Sequence, residues 1–121
     1  MKRSLLLSVF VVLVAGCSNP LPQLDGIDLD VWKEDHKGCL RKRPAFEQSL
    51  RDQRDKLKGL SEMNVVKLLG KPDMNVLSER NEKYYHFFLT PSPDCKLGDT
   101  TFMQLIIRFN AVGISKEATI E

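Results

Sequence analysis

The sequence has only two histidines, His36 and His86, and three cysteines, Cys17, Cys39 and Cys95, in 121 residues. That scarcity removes most metal and nucleophile chemistry. A zinc site wants three or four ligands, and the one suggestive spacing, His36-x-x-Cys39, supplies two with only acids nearby. No Cys-x-x-Cys pair is present to act as a redox dithiol. There is no glycine-rich phosphate loop, and no serine in a strained turn ahead of a helix to serve a triad. Asp52 and Asp55 beside Arg51 and Arg54 are more economically an ion-paired helix face than an acid–base pair. The expectation is a non-enzymatic protein with no catalytic residue, no cofactor and no metal.

Also missing is an apolar run of about 20 residues, the length a membrane-spanning helix needs. The longest run, residues 5–14, is shorter and is broken by Ser8. It follows Lys2 and Arg3 and precedes the small residues Ala15 and Gly16. A charged start, a short apolar stretch and a small-residue cleavage site make a secretory signal. The alternative, an uncleaved N-terminal anchor, is disfavoured by length.

Val14-Ala15-Gly16-Cys17 resembles the lipobox of bacterial lipoproteins. The resemblance implies that residues 1–16 are removed and that Cys17 is lipidated on sulfur, with its new amine acylated. Two or three acyl chains anchor firmly where one is marginal. Ser18 stands where an aspartate would signal inner-membrane retention, which implies the outer membrane, facing the periplasm. Removing Lys2 and Arg3 from 18 basic residues leaves 16, equal to the 16 acidic ones. A neutral mature chain argues against a nucleic-acid partner. Its 105 residues suit one small domain.

With Cys17 lipidated, Cys39 and Cys95 remain. In an oxidising compartment the pair reads as a disulfide; the alternative is two buried free thiols. Residues 17–27, including the proline-bearing stretch SNPLPQLDG, read as a poorly ordered lipidated tether. Residues 28–121 read as a single α+β domain.

Within that domain Asp28 or Asp30 would cap a short helix carrying Val31 and Trp32, with Gly38 as its stop. Pro44 suits the first turn of a second helix over 44–58, with Phe46, Leu50 and Leu57 on its buried stripe. The best-specified helix is GLSEMNVVKLLGKPD: Ser61 as N-cap, Leu60 and Val65 at staple spacing, Gly70 as a left-handed C-cap, then Pro72. Residues 83–89, 101–109 and 114–120 read as strands. Two or three helices should therefore pack on one face of a three-stranded antiparallel meander.

Met103, Leu105, Ile107 and Phe109 would line the core face, together with Tyr85, Phe87 and Leu89. The other face, with Tyr84, His86, Phe88, Phe102 and Ile106, is unusually apolar. Either the segment around Trp32 covers it or a partner does. Trp32, Tyr84, His86 and Phe88 are thus the candidate interaction face. Lys37, Arg41, Lys42 and Arg43 form a basic cluster, read as a solvated turn balanced by Glu34 and Asp35 or as a contact for anionic headgroups or a protein.

The run from Gly59 to Pro72, then Tyr84-Tyr85, then Leu105-x-Ile107-x-Phe109-x-x-x-Gly113, resembles the SmpA/OmlA family of small outer-membrane lipoproteins. It covers roughly the C-terminal half of the chain. The resemblance implies a two-helix, three-strand domain and a place in outer-membrane assembly or maintenance. The functional expectation is a scaffold or adaptor that binds an envelope protein. The alternative is a periplasmic ligand-binding or inhibitory module using the aromatic face.

Overall fold

A computed structural model of the chain describes residues 20–96 and 101–121. The expected signal (residues 1–16), the expected lipidation site Cys17, and residues 18–19 and 97–100 lie outside the described residues.

The described residues form α1 (Leu29–Glu34), α2 (Glu47–Gln53) and α3 (Glu62–Leu69), followed by β1 (Met74–Leu77), β2 (Lys83–Phe88), β3 (Gln104–Phe109) and β4 (Ser115–Ile120). Short 3-10 turns occupy His36–Gly38, Arg43–Phe46 and Arg54–Leu57. The strands make an antiparallel meander in the order β1-β2-β3-β4. The α+β class is as expected, but the sheet has four strands where three were expected. All four residues of β1 are exposed. No alternation marks so short a strand; it exists because Pro72 follows α3 and the chain meets the open edge of β2.

The core face is the expected one. Tyr85 pairs with Ile107 and Phe87 with Leu105, and all four side chains are buried with Leu89 and Phe109. The helical layer contributes Leu50, Leu57, Val65, Leu68 and Leu69. Each such side chain, fully buried, contributes about 1.5–3 kcal/mol. The register slips at Arg108/Phe109, where Phe109 pairs with Ser115 and Arg108 with Glu117. This bulge leaves Lys116 unpaired and turns Ser115 inward, breaking the simple alternation of residues 114–120.

In α3 the Asn64 N–H donates to Ser61 Oγ at 3.1 Å, and Glu62 opens the first turn. Gly70 ends the helix with φ 84° and ψ −176° rather than the expected left-handed helical pair. That region is essentially open to glycine alone. Asp28 caps α1, accepting from Asp30 and Val31 N–H, but α1 stops at Asp35, before Gly38.

Two expectations need correction. The helix expected over 44–58 is three pieces, because its first and last turns tighten to 3-10 geometry around α2. The tether expected over 17–27 is largely docked where it is described. Leu24 and Ile27 belong to the core, so the domain begins before residue 28. Two apolar side chains three residues apart give even a proline-bearing stretch enough surface to bury.

Candidate interaction surfaces

The four residues expected to share a face are split between two. Trp32 is fully buried in the helical layer, where its indole N–H donates to the Leu69 carbonyl at 3.0 Å. Its ring lies 6.1 Å from that of Phe87, on the core side of the sheet. Trp32 therefore neither covers the outer face nor joins Tyr84, His86 and Phe88 there. An indole that finds both an apolar bed and a carbonyl acceptor is best satisfied inside.

The outer face is less apolar than its sequence suggests. Phe88 is buried against Phe102, ring centroids 5.4 Å apart. Tyr84 and His86 are half-buried. The Tyr84 hydroxyl donates to Glu82 at 3.2 Å, and His86 Nδ1 is hydrogen-bonded to Gln104 Oε1 at 2.8 Å. Arg108 spans Glu82 and Glu117, both at 3.4 Å. A shallow groove of about 450 Å³ crosses this surface past Tyr84, Ile106 and Arg108. Its walls are ion-paired.

The basic cluster also comes apart. Lys37, Arg41 and Lys42 stay at the surface or half-buried, but Arg43 is 1% exposed. Arg43 Nη1 donates to Asp73 Oδ2 at 2.7 Å and to the Phe88 carbonyl at 3.1 Å. Arg43 Nε donates to the Trp32 carbonyl at 2.9 Å, and the guanidinium sits 4.5 Å over the Trp32 ring. Asp35, expected at the surface as a counter-charge, is fully buried. It accepts the backbone N–H groups of Leu40, Lys42 and Arg43 at 2.7–2.9 Å. Asp73 in turn accepts from Lys37 and Phe88 N–H. These bonds fasten residues 32–43 to the start of β1 and the end of β2. Spacing alone could not reveal them, since Asp73 lies 30 residues from Arg43.

Cys39 and Cys95 form a disulfide across the same region, Cα atoms 5.5 Å apart. With its sulfur bonded to Cys95, Cys39 is no partner for His36 in a metal site. Beside the disulfide, Ser92 N–H donates to the Lys37 carbonyl at 2.9 Å, and Lys37 pairs with Asp94 at 3.1 Å. Among the described residues no group of three His, Cys, Asp or Glu side chains converges as a metal site would require.

A surface that sequence reasoning missed lies where α3 meets β2, the strand that β1 borders at the sheet edge. Lys83 Nζ approaches Glu62 Oε1 at 2.9 Å, and the Tyr85 hydroxyl donates to the same oxygen at 3.3 Å. The Glu62 hydrogen bond and charge hold the Lys83 amine above its ordinary value of 10.5. Burial, then Glu62, pushes the Tyr85 hydroxyl above 10.0. A groove of about 450 Å³ runs along this pair, walled by Met63 and Val66. Of the eight large hydrophobic residues that are exposed among the described residues, five (Met63, Val66, Met74, Val76 and Leu77) belong to α3 and β1. The other end of the sheet is closed differently. Gly59 N–H donates to the Ser115 carbonyl and Ser115 N–H to the Leu60 carbonyl, both at 2.8 Å, so residues 59–60 extend the sheet beyond the start of β4.

The cue available in the sequence was the alternation of Met63 and Val66 with buried Val65 and Leu69, a helix with apolar residues on more than one face. Compared with known proteins, the chain matches no family model, no curated protein and no solved structure.

Proposed function

We propose that the protein is a lipid-anchored adaptor of the bacterial envelope that receives an extended segment of a partner protein along β1. The observation that carries the reading is the concentration of exposed apolar side chains on β1 and α3, beside a strand edge that no described segment pairs. Strand addition uses backbone hydrogen bonds for affinity and pockets beside the edge for specificity. Ser78 N–H donates to the Glu82 carbonyl at 2.8 Å. The two-residue period of an antiparallel ladder then points the N–H groups of Val76 and Met74 toward β2, and those of Leu77 and Asn75 outward. Those two outward donors and the Met63–Val66 groove form the docking edge. Attachment through lipid on Cys17, at the outer membrane and facing the periplasm, is the other half of the proposal. It rests on the lipobox, and the SmpA/OmlA resemblance supports the same address.

The test places a photo-crosslinking amino acid at position 77 in cells, with position 54 on the opposite side as control. The expected result is a discrete crosslinked species from 77 only, lost in Asn75→Pro, which removes an outward donor and leaves the β2 ladder intact. Crosslinks that ignore the proline overturn edge recognition. Retention of Cys17→Ser in the membrane fraction overturns the anchor.

A further inference from the structure

The chain linking lipid to domain is much shorter than its composition suggests. Asp25 N–H donates to Gln53 Oε1 at 2.7 Å, and Gln53 Nε2 donates back to the Asp25 carbonyl at 2.7 Å. Lys56 Nζ donates to the Gln23 carbonyl at 2.9 Å. Leu24 follows into the core at 7% exposure. The domain is thus fastened from Gln23 onward. Three peptide steps separate Cys17 from Pro20 and six separate it from Gln23. At full extension these reach only about 11 and 22 Å. A domain of this size has a radius of gyration of about 13 Å, hence a diameter of roughly 34 Å. A link shorter than the diameter holds the domain against the bilayer and selects the face that meets it.

We propose that the surface formed by Leu21, Pro22, Leu29 and the last turn of α3 rests on the headgroup region of the bilayer. This deepens the adaptor reading and depends on its lipid anchor at Cys17. The surface is a shallow groove of about 580 Å³, floored by Leu24 and Leu68 with Lys67 at its border. Leu21 is 37% exposed there. An apolar floor with a lysine at the margin suits the boundary between acyl chains and phosphates. Both signs of charge occur at this surface, Asp25 as well as Lys67, so link length sets the orientation. The outer face of the sheet, beyond the helical layer, is then turned away from the membrane.

The test uses the lipidated full chain in phosphatidylethanolamine–phosphatidylglycerol vesicles carrying nitroxide-labelled phospholipid. A fluorophore is placed at Lys67→Cys or at Thr119→Cys, after the native disulfide has formed. Layer spacing puts about 10 Å or more between the two positions, and quenching at 67 is expected to exceed that at 119 about threefold. Equal or reversed quenching overturns the orientation. A flexible Gly-Ser insertion of about 20 residues after Ser18 adds about 25 Å of reach and is expected to abolish the difference. A difference that survives the insertion overturns control by link length. Quenching is read only on vesicle-bound protein, and Cys17→Ser is assayed beside it. Loss of the anchor and loss of the orientation are therefore distinguishable.

Discussion

Arg43 Nη1 donates to Asp73 Oδ2 at 2.7 Å, and neither side chain is more than 2% exposed. A buried pair of this kind adds little net stability over an apolar replacement, but losing one partner leaves the other charged and unpaired. Arg43→Met should therefore cost about 3–5 kcal/mol, a large share of a stability in the range of about 5–15 kcal/mol. Asp73 also accepts from Lys37 and Phe88 N–H, so the double variant that removes the stranded charge while keeping an acceptor, Arg43→Met/Asp73→Asn, should be more stable than the single one. Urea midpoints check both, and a double variant worse than Arg43→Met would show that the pair is not the origin of the loss. Arg43→Lys should also destabilise, since an ammonium cannot span Trp32, Asp73 and Phe88 as the planar fork does.

Asp35 holds a turn rather than a charge partner. Its carboxylate accepts three backbone N–H groups from residues 40–43, in a loop where Lys37 and Arg41 have φ near +57°. Those left-handed conformations are costly for residues with a Cβ; the bonds to Asp35 flank and hold the one at Arg41, while the Lys37 N–H is held by Asp73 Oδ1. Asp35→Ala should lose about 1–3 kcal/mol by stranding the buried Arg43 N–H and the half-buried Leu40 and Lys42 N–H groups, and Asp35→Asn should lose less. Hydrogen exchange provides the local check: the amides of residues 40–43 should accelerate in Asp35→Ala even under conditions where α3 stays protected.

These two carboxylates mark the limit of what the sequence discloses. α3 was legible because every signal in it is local, from the Ser61 cap to Gly70 and Pro72. The core faces of β2 and β3 were legible because alternation survives in both. The disulfide followed from a count of cysteines. Arg43 was not legible, because a charged run with acids nearby describes a solvated turn just as well. Its acceptor lies beyond a helix, on the approach to a strand that itself leaves no pattern. Trp32 was misplaced for a related reason. The disulfide draws its segment toward the sheet, but only packing decides which face of the sheet it meets. The α3–β1 surface went unseen because it needs β1 to exist.

The Cys39–Cys95 bond closes a sequence separation of 56. The chain-entropy relation gives about 4 kcal/mol for such a loop. Reduction should lower the urea midpoint accordingly, yet leave a folded domain, because the Ser92–Lys37 bond and the Arg43 network tie the same segments together. Gly38 separates the two effects. Its φ is +68°, and a Cβ there would fall 2.6 Å from the Thr90 carbonyl oxygen. Gly38→Ala should therefore destabilise even with the disulfide intact, by about 1–3 kcal/mol. A neutral result would mean that the residue 90–92 strip does not press on residues 36–38. Thiol counting before and after reductant establishes which state each measurement reports.

The Glu62–Lys83–Tyr85 group makes a prediction at alkaline pH. Lys83 and Tyr85 both hold their protons more tightly in the folded chain than in the unfolded one. Their contribution to stability is therefore complete below the ordinary values, 10.0 for Tyr85 and 10.5 for Lys83, and is lost as pH rises through the raised ones. Stability should be insensitive to this group at neutral pH and should decline once pH passes about 10. Glu62→Gln separates the causes. Glu62 is the main reason for the Lys83 shift, whereas burial leads for Tyr85. The variant should therefore return Lys83 close to its ordinary value while Tyr85 stays elevated. Ultraviolet titration of the phenolate in Tyr84→Phe, which leaves Tyr85 as the sole tyrosine, follows one group, and NMR of the Lys83 side chain follows the other. If the Tyr85 titration fell fully back with Glu62→Gln, its hydroxyl would be governed by the carboxylate rather than by burial beneath α3, and the groove wall at Met63 and Val66 would be more open to water than the packing shows.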